Sequence, residues 1–221
     1  MNAPPLPDRR GRIKRRSGLA LLVAAALPAP ASGFDHEHRA WTRLLGAHVR
    51  QGPGGVSSRL SYRGLLAERC ALQAYLHALS AVAPAQFQGW GRAQQLAFLI
   101  NAYNAFTVER VLGAYPGLAS IKELGKLFQS PWKQRFVALL GQTLSLDDIE
   151  HGLIRAPGRF DEARIHFALV CASASCPMLR NEAFVATRLP QQLEDGLRRF
   201  LSDRSRNLEH LDYDWSLNDA R

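Results

Sequence analysis

The stretch QQLAFLINAYNAFTVERVLGAYP, Gln94 to Pro116, decides how the chain folds. It is apolar almost all the way round a helical projection, the pattern of a helix buried on every side rather than one lying on a surface. The spacing predicts a helix over Gln94–Tyr115, ended by Pro116. Asn101, Asn104 and Thr107 fall at i, i+3 and i+6 and form one polar stripe on this apolar cylinder. A buried amide left without a partner costs about 1–3 kcal/mol. These side chains therefore either brace neighbouring backbone or line an internal polar site.

Two further helices are predicted before it. Phe34–Arg50 carries Trp41, Leu44, Leu45 and Val49 at i, i+3, i+4 and i+8, and QGPGG at 51–55 breaks the pattern. After an extended piece around Leu60 and Tyr62, Leu65–Val82 repeats the stripe with Leu65, Leu66, Leu72, Tyr75, Leu76 and Leu79, ended by Ala83-Pro84. Cys70 lies on this second helix, where an isolated apolar Cys reads as inert core. On the C-terminal side, KQRFVALLGQTLSL alternates and turns at Gly141-Gln142, a hairpin. Ser145 and Asp148 have the spacing of a capping box opening LDDIEHGLIR, which carries Glu150 and His151. Thr187 is placed to cap a last helix with Leu189, Leu193, Leu197 and Phe200 on one side. The 221 residues suit one domain, and the pattern is a helix-rich α+β fold with a small sheet.

RIHFALVCASASCP, Arg164 to Pro177, concentrates the chemistry. Ile165–Cys171 reads as a short buried strand, central to the sheet, with His166 on one face and Cys171 on the other. Pro177 suits the first position of a helical turn, which would set Cys176 at a helix N-terminus. A thiol there and beside a His has a lowered pKa, and thiolate is the nucleophilic form. One reading therefore makes Cys176 a nucleophile, His166 its base, and Asn101 or Asn104 the orienter or oxyanion donor. Small side chains at Ala172–Ser175 would let a substrate carbonyl approach the backbone amides. Glu150, His151 and Cys171 are secondary candidates. In the competing reading Cys171 and Cys176 form a disulfide that staples the turn, and His166 is a satisfied core histidine. A metal centre is a third reading. Cys171, Cys176 and His166 lie on one tight segment without the paired spacing of structural zinc sites, so no metal is expected. No cofactor motif is present either.

Residues 1–33 have the order of a secretory leader: Arg9, Arg10, Arg12, Lys14, Arg15 and Arg16 precede the apolar run Leu19–Leu27, then PAPASGF. That run is too short to span a bilayer, which needs about 20 residues, so export and removal are expected rather than a stable membrane anchor. Cleavage after Gly33 is preferred to cleavage after Ala31. Losing residues 1–33, with six Lys and Arg against Asp8, takes the formal charge from +9 to +4. Most of the basicity thus belongs to the leader, and no clustered basic face with interleaved aromatics remains for nucleic acid. A periplasmic or secreted protein acting on an unknown small molecule or peptide is expected.

Four ordered blocks, AFLINAYNAFTVERVL, YPGLASIKEL, SLDDIEHGLIR and RIHFALVCASASCPMLRNEAF, resemble the family known as domain of unknown function 547. The likeness runs from about Phe34 to Asn207 and includes matches for Asn101, Asn104, Glu150, His151, His166, Cys171 and Cys176. Leu99 stands where the family tends to have Trp, and residues 208–221 do not resemble the aromatic segment that usually closes the domain. The family implies no activity. Two functions follow from the residues. One is a thiol-dependent hydrolase or transferase on an amide or ester, with a papain-like or transglutaminase-like core and division of labour. The other is a non-catalytic binding or scaffold domain of the cell envelope stapled by Cys171–Cys176.

Overall fold

Asp35 turns the chain into its first helix. In the computed structural model, which describes residues 33–118, 121–125, 130–172 and 176–204, its carboxylate accepts the backbone N–H groups of Glu37 (3.1 Å) and Arg39 (3.0 Å). The Arg39 N–H is one of the donors that a helix start leaves open. The predicted leader up to residue 32, the small-residue turn at 173–175 and the tail at 208–221 lie outside the described residues. Helix α1 (Arg39–His48) buries Trp41, Leu44 and Leu45, as the stripe predicts. It starts later than expected because Phe34 is used elsewhere, its ring packed T-shaped against Phe98 at 5.2 Å and tilted against Trp90 at 5.3 Å. Val49, the last member of the stripe, is buried at the start of β1 (Val49–Gln51). That strand pairs antiparallel with β2 (Ser58–Leu60), Val49 opposite Leu60.

The second predicted helix is two. Ser61 caps α2 (Tyr62–Ala67), its Oγ accepting the Gly64 N–H at 3.2 Å. A kink at Glu68 then opens α3 (Arg69–Ser80). The kink places the Glu68 carboxylate where Arg43 (2.6 Å) and His48 (3.0 Å) of α1 reach it. Pro84, read as a terminator, also opens the short helix α4 (Pro84–Gln88), where a missing N–H costs nothing.

The predicted central helix is α5 (Arg92–Leu112), and every residue from Leu96 to Val108 is buried. It packs against α3, against the segment 148–154 and against the turn 186–188. Leu99 and Phe98 have no exposed surface. Leu99 thus sits in the middle of the core.

The predicted hairpin forms from β3 (Val137–Leu139) and β4 (Gln142–Leu144). Its turn residues are Leu140 (φ 50) and Gly141 (φ 71), one position earlier than expected. Both take the left-handed conformation that two-residue hairpins use. The capping box forms in full, with Ser145 N–H to Asp148 Oδ2 and Asp148 N–H to Ser145 Oγ both at 3.0 Å. The helix it opens is wound wide over Asp148–Ile154, ending with Arg155 N–H on the Glu150 carbonyl five residues back at 2.7 Å.

The expected strand Ile165–Cys171 does not form. Ala163–Phe167 is a tight 3₁₀ turn instead, so the sheets among the described residues are the two hairpins, and no central strand joins them. Glu162 accounts for the turn. Its carboxylate accepts the Arg164 N–H at 3.0 Å and the Arg164 guanidinium at 2.6 and 2.8 Å, and that guanidinium also reaches Glu194 at 3.1 Å. Apolarity foretells burial here but not winding: Ile165, Ala168, Leu169 and Val170 are buried while His166 is exposed. Helix α6 (Leu189–Ser202) covers this turn, and at Gly196 an added Cβ would lie 3.2 Å from the Phe167 carbonyl oxygen. Thr187 does not cap α6. It sits within a 3₁₀ turn, Ala186–Arg188, and Pro190 occupies the first turn of the helix.

The fold is thus α+β and helix-rich, with two small antiparallel sheets. Among the described residues no helix is long and apolar enough to cross a membrane.

Candidate functional site

The polar stripe of α5 braces backbone. Asn101 donates to the Phe184 carbonyl at 2.7 Å and accepts the Phe184 N–H at 3.0 Å. Asn104 treats the next segment alike, donating to the Ala168 carbonyl at 2.9 Å and accepting the Val170 N–H at 3.0 Å. Each carboxamide presents one donor and one acceptor side by side, as a peptide unit does. Gln192 of α6 repeats the device, accepting the Val185 N–H and donating to the Ala183 carbonyl, both at 2.9 Å. The non-helical segments 168–170 and 183–185 are therefore satisfied by helix side chains where a sheet would use a neighbouring strand. Thr107, one turn on, donates to the Tyr103 carbonyl of its own helix at 2.8 Å.

The clamp at Ala168–Val170 leads directly to Cys171. Cys171 and Cys176 are joined by a disulfide, with Cα atoms 5.9 Å apart. Both cysteines are half-buried, and Ala172 between them is left-handed at φ 54. The disulfide borders a cleft of about 270 Å³. Thr107 and Val108 of α5 line its floor, with Ser58 and Leu60 of β2 and Tyr62 of α2 on one side. On the other are Val170, Ala172 and Cys176, followed by Pro177, Met178 and Leu179. None of these side chains carries a charge at neutral pH. Burial pushes the Tyr62 phenol up to about 12, so it stays neutral, and its ring stacks on Tyr115 at 6.0 Å.

The sequence-predicted residues divide accordingly. Cys176 lines the cleft, and Cys171, bonded to it, does not. Asn104 lies beneath, holding Val170, while Asn101 serves the segment at Phe184. His166 is on the exposed 3₁₀ turn, its ring T-shaped to Phe167 at 5.4 Å, and is not among the lining residues. Glu150 and His151 are also outside the cleft. Glu150 pairs with Arg155 at 3.3 Å and takes a hydrogen bond from the Tyr103 phenol, which burial, and then this carboxylate, holds well above its usual range. His151 is exposed, 3.8 Å from Asp147. Among the described residues no three of His, Cys, Asp and Glu converge as a metal ion requires.

Sequence reasoning did not single out Tyr62, Met178 or Leu60 for this site, because nothing in their spacing announces a shared cavity. It also passed over His38. That ring is 1% exposed, and its Nδ1 is 2.7 Å from the Tyr75 hydroxyl. Burial brings its pKa down to about 4, with Asp35 pulling the other way.

No curated protein and no solved structure matches the chain. Residues 87–201, from α4 through the central helix and the disulfide to α6, match the family model described as "Protein of unknown function, DUF547", and the chain belongs to that family.

Proposed function

We propose that this protein is a binding domain of the cell envelope, exported by its leader and stapled by Cys171–Cys176, that takes a neutral small molecule or peptide side chain in the cleft beside the disulfide. The disulfide carries the reading. Such bonds persist in oxidising compartments and are reduced in the cytosol, which favours export. Uncharged walls favour an uncharged ligand, because an ion moved into them would lose its hydration without a compensating partner. The carboxamides of Asn101 and Asn104 are committed to backbone and act as framework.

Binding is tested on the leader-free protein by screening neutral and charged fragments with ligand-observed NMR. Neutral fragments should bind saturably, and Leu60→Trp, which fills the cleft from β2, should abolish binding while leaving the far-UV circular dichroism unchanged. Equal binding by this variant, or binding by charged fragments alone, would discard the proposal. Mass spectrometry of the protein recovered from the envelope should show a chain starting near Phe34 and two hydrogens lighter than the reduced form.

One observation favours the thiol-dependent hydrolase or transferase as a second reading: of the two bonded cysteines, it is Cys176 that borders the cleft. In that reading reduction frees the Cys176 sulfur, and His166 serves as base in the papain-like or transglutaminase-like manner. Iodoacetamide labelling of Cys176 against pH, after mild reduction of a Cys70→Ala protein, tests it. An inflection near the ordinary thiol value of about 8.5, unchanged in His166→Ala, counts against an activated nucleophile.

A further inference from the structure

The two sulfurs of the disulfide are not equivalent. Cys176 borders the cleft and Cys171 does not. Thiol–disulfide exchange is an in-line displacement at one sulfur, so the attacking thiolate must approach opposite the bond that breaks, and access decides which sulfur is attacked. A thiol held in the cleft therefore has Cys176 as its target, with Cys171 as the leaving group.

We propose that the Cys171–Cys176 disulfide is an exchange site that oxidises thiols admitted to the cleft, its preferred substrate being an uncharged cysteinyl compound. The inference rests on reading the cleft as a binding site. In the first step the substrate thiol gives its proton to solvent and its sulfur attacks Cys176 Sγ. The bond to Cys171 breaks, and its electron pair leaves on Cys171 Sγ, which takes up a proton. The product is a mixed disulfide on Cys176. A second substrate thiolate attacks the substrate sulfur of that adduct, forming substrate disulfide and releasing Cys176 as a thiol. Two thiols are thus oxidised to one disulfide, and the protein takes up two electrons and two protons. Each molecule turns over once.

The surroundings of the bond suit this chemistry. Asn104 pins Val170 immediately before Cys171, and Pro177 with its fixed φ immediately follows Cys176, so the approach from the cleft is set by the framework. Uncharged side chains around Cys176 neither attract nor repel a neutral thiol, whereas the charged ends of glutathione would have to shed water to enter.

The test uses the leader-free protein with Cys70, an exposed free thiol, replaced by Ala. Reduction of the native disulfide is followed by quenching, alkylation and mass. N-acetylcysteinamide and a neutral tetrapeptide containing one Cys represent the small-molecule and peptide sources, and glutathione is the charged comparison. At equal thiolate concentration the neutral thiols should react at least tenfold faster than glutathione, and whichever neutral source is faster identifies the better mimic. Leu60→Trp should slow the neutral thiols at least tenfold. In single-cysteine variants treated with the disulfide of N-acetylcysteinamide, Cys171→Ser should form its adduct, on Cys176, at least tenfold faster than Cys176→Ser does on Cys171. Equal rates for glutathione and the neutral thiols, no effect of Leu60→Trp, or faster reaction at Cys171 would overturn the inference. The wild-type rates decide the matter even where a single-cysteine variant does not fold. Neutral fragments binding beside a disulfide that stays inert until unfolding would refute exchange alone, whereas failure of fragment binding would remove the binding reading itself.

Discussion

Asn104 shows how much one side chain can carry. Its carboxamide holds the Ala168 carbonyl and the Val170 N–H, and Val170 is buried. Truncation strands one donor and one acceptor away from water, each at about 1–3 kcal/mol. Asn104→Ala should therefore lose about 2–5 kcal/mol in urea unfolding, whereas an exposed-site control such as His151→Ala should stay within about 0.5 kcal/mol. The stripe itself was legible, since three polar residues at one face of an all-apolar helix can only be buried and paired. Which partners they take was not legible, because Phe184 and Ala168 come from distant segments whose positions depend on tertiary packing. His38 was missed for a related reason. A histidine in a run of polar residues, followed by Arg39 and Ala40, has no apolar periodicity to mark it as buried.

At the scale of elements, the capping box is local and was fully readable from Ser145 and Asp148. Ser145→Ala removes the acceptor for the Asp148 N–H and should cost about 1 kcal/mol of stability, measured by denaturant titration with an unchanged m-value. Hydrophobic periodicity placed the stripes of α1, α3 and α5 correctly; in α6 it found the buried Leu189 and Leu193, while Leu197 and Phe200 are only half-buried and Leu66 of α2 is exposed. It failed where polar side chains override it. Glu162 folds Ala163–Phe167 into a 3₁₀ turn by accepting from Arg164, so the run after it cannot keep the two-residue period of a strand. The carboxamide of Asn104 then supplies the hydrogen bonds a strand partner would have given. For the cleft, the Cys, the stripe and the tight loop were visible. Its far wall from β2 and α2 was not, since those residues lie more than a hundred positions away in the chain from Cys176.

Over the whole molecule, His38 and Glu182 carry large shifts that act on stability in successive windows as pH falls. Unfolded His38 would bind a proton near its ordinary 6.5, but in the fold burial delays this to about 4. The unfolded state therefore holds more protons between these values, and stability is complete above about 6.5 and declines as pH falls toward 4, by about 3 kcal/mol. Glu182 acts lower. Burial alone would raise its pKa, but hydrogen bonds from Arg180, Arg188 and Gln192 outweigh that and bring it from 4.5 to about 2. Its contribution is present above 4.5 and is lost as pH falls toward 2. Urea midpoints measured from pH 8 to pH 3 should fall in both windows, and Glu182→Gln should make the lower decline shallower without abolishing it, because arginine partners also hold the Glu162, Glu194 and Asp195 carboxyls below their usual range.

The carboxamides that hold residues 183–185 have a consequence for solution behaviour. Asn101 occupies the N–H and carbonyl of Phe184, while Gln192 occupies those of Val185 and Ala183, which point the opposite way along an extended chain. Both flanks of this apolar ribbon are therefore taken, and it offers no template on which a second polypeptide could add a β-strand. Gln192→Ala would uncover one flank, and concentrated solutions of that variant should scatter more light and bind thioflavin while the parent protein stays clear.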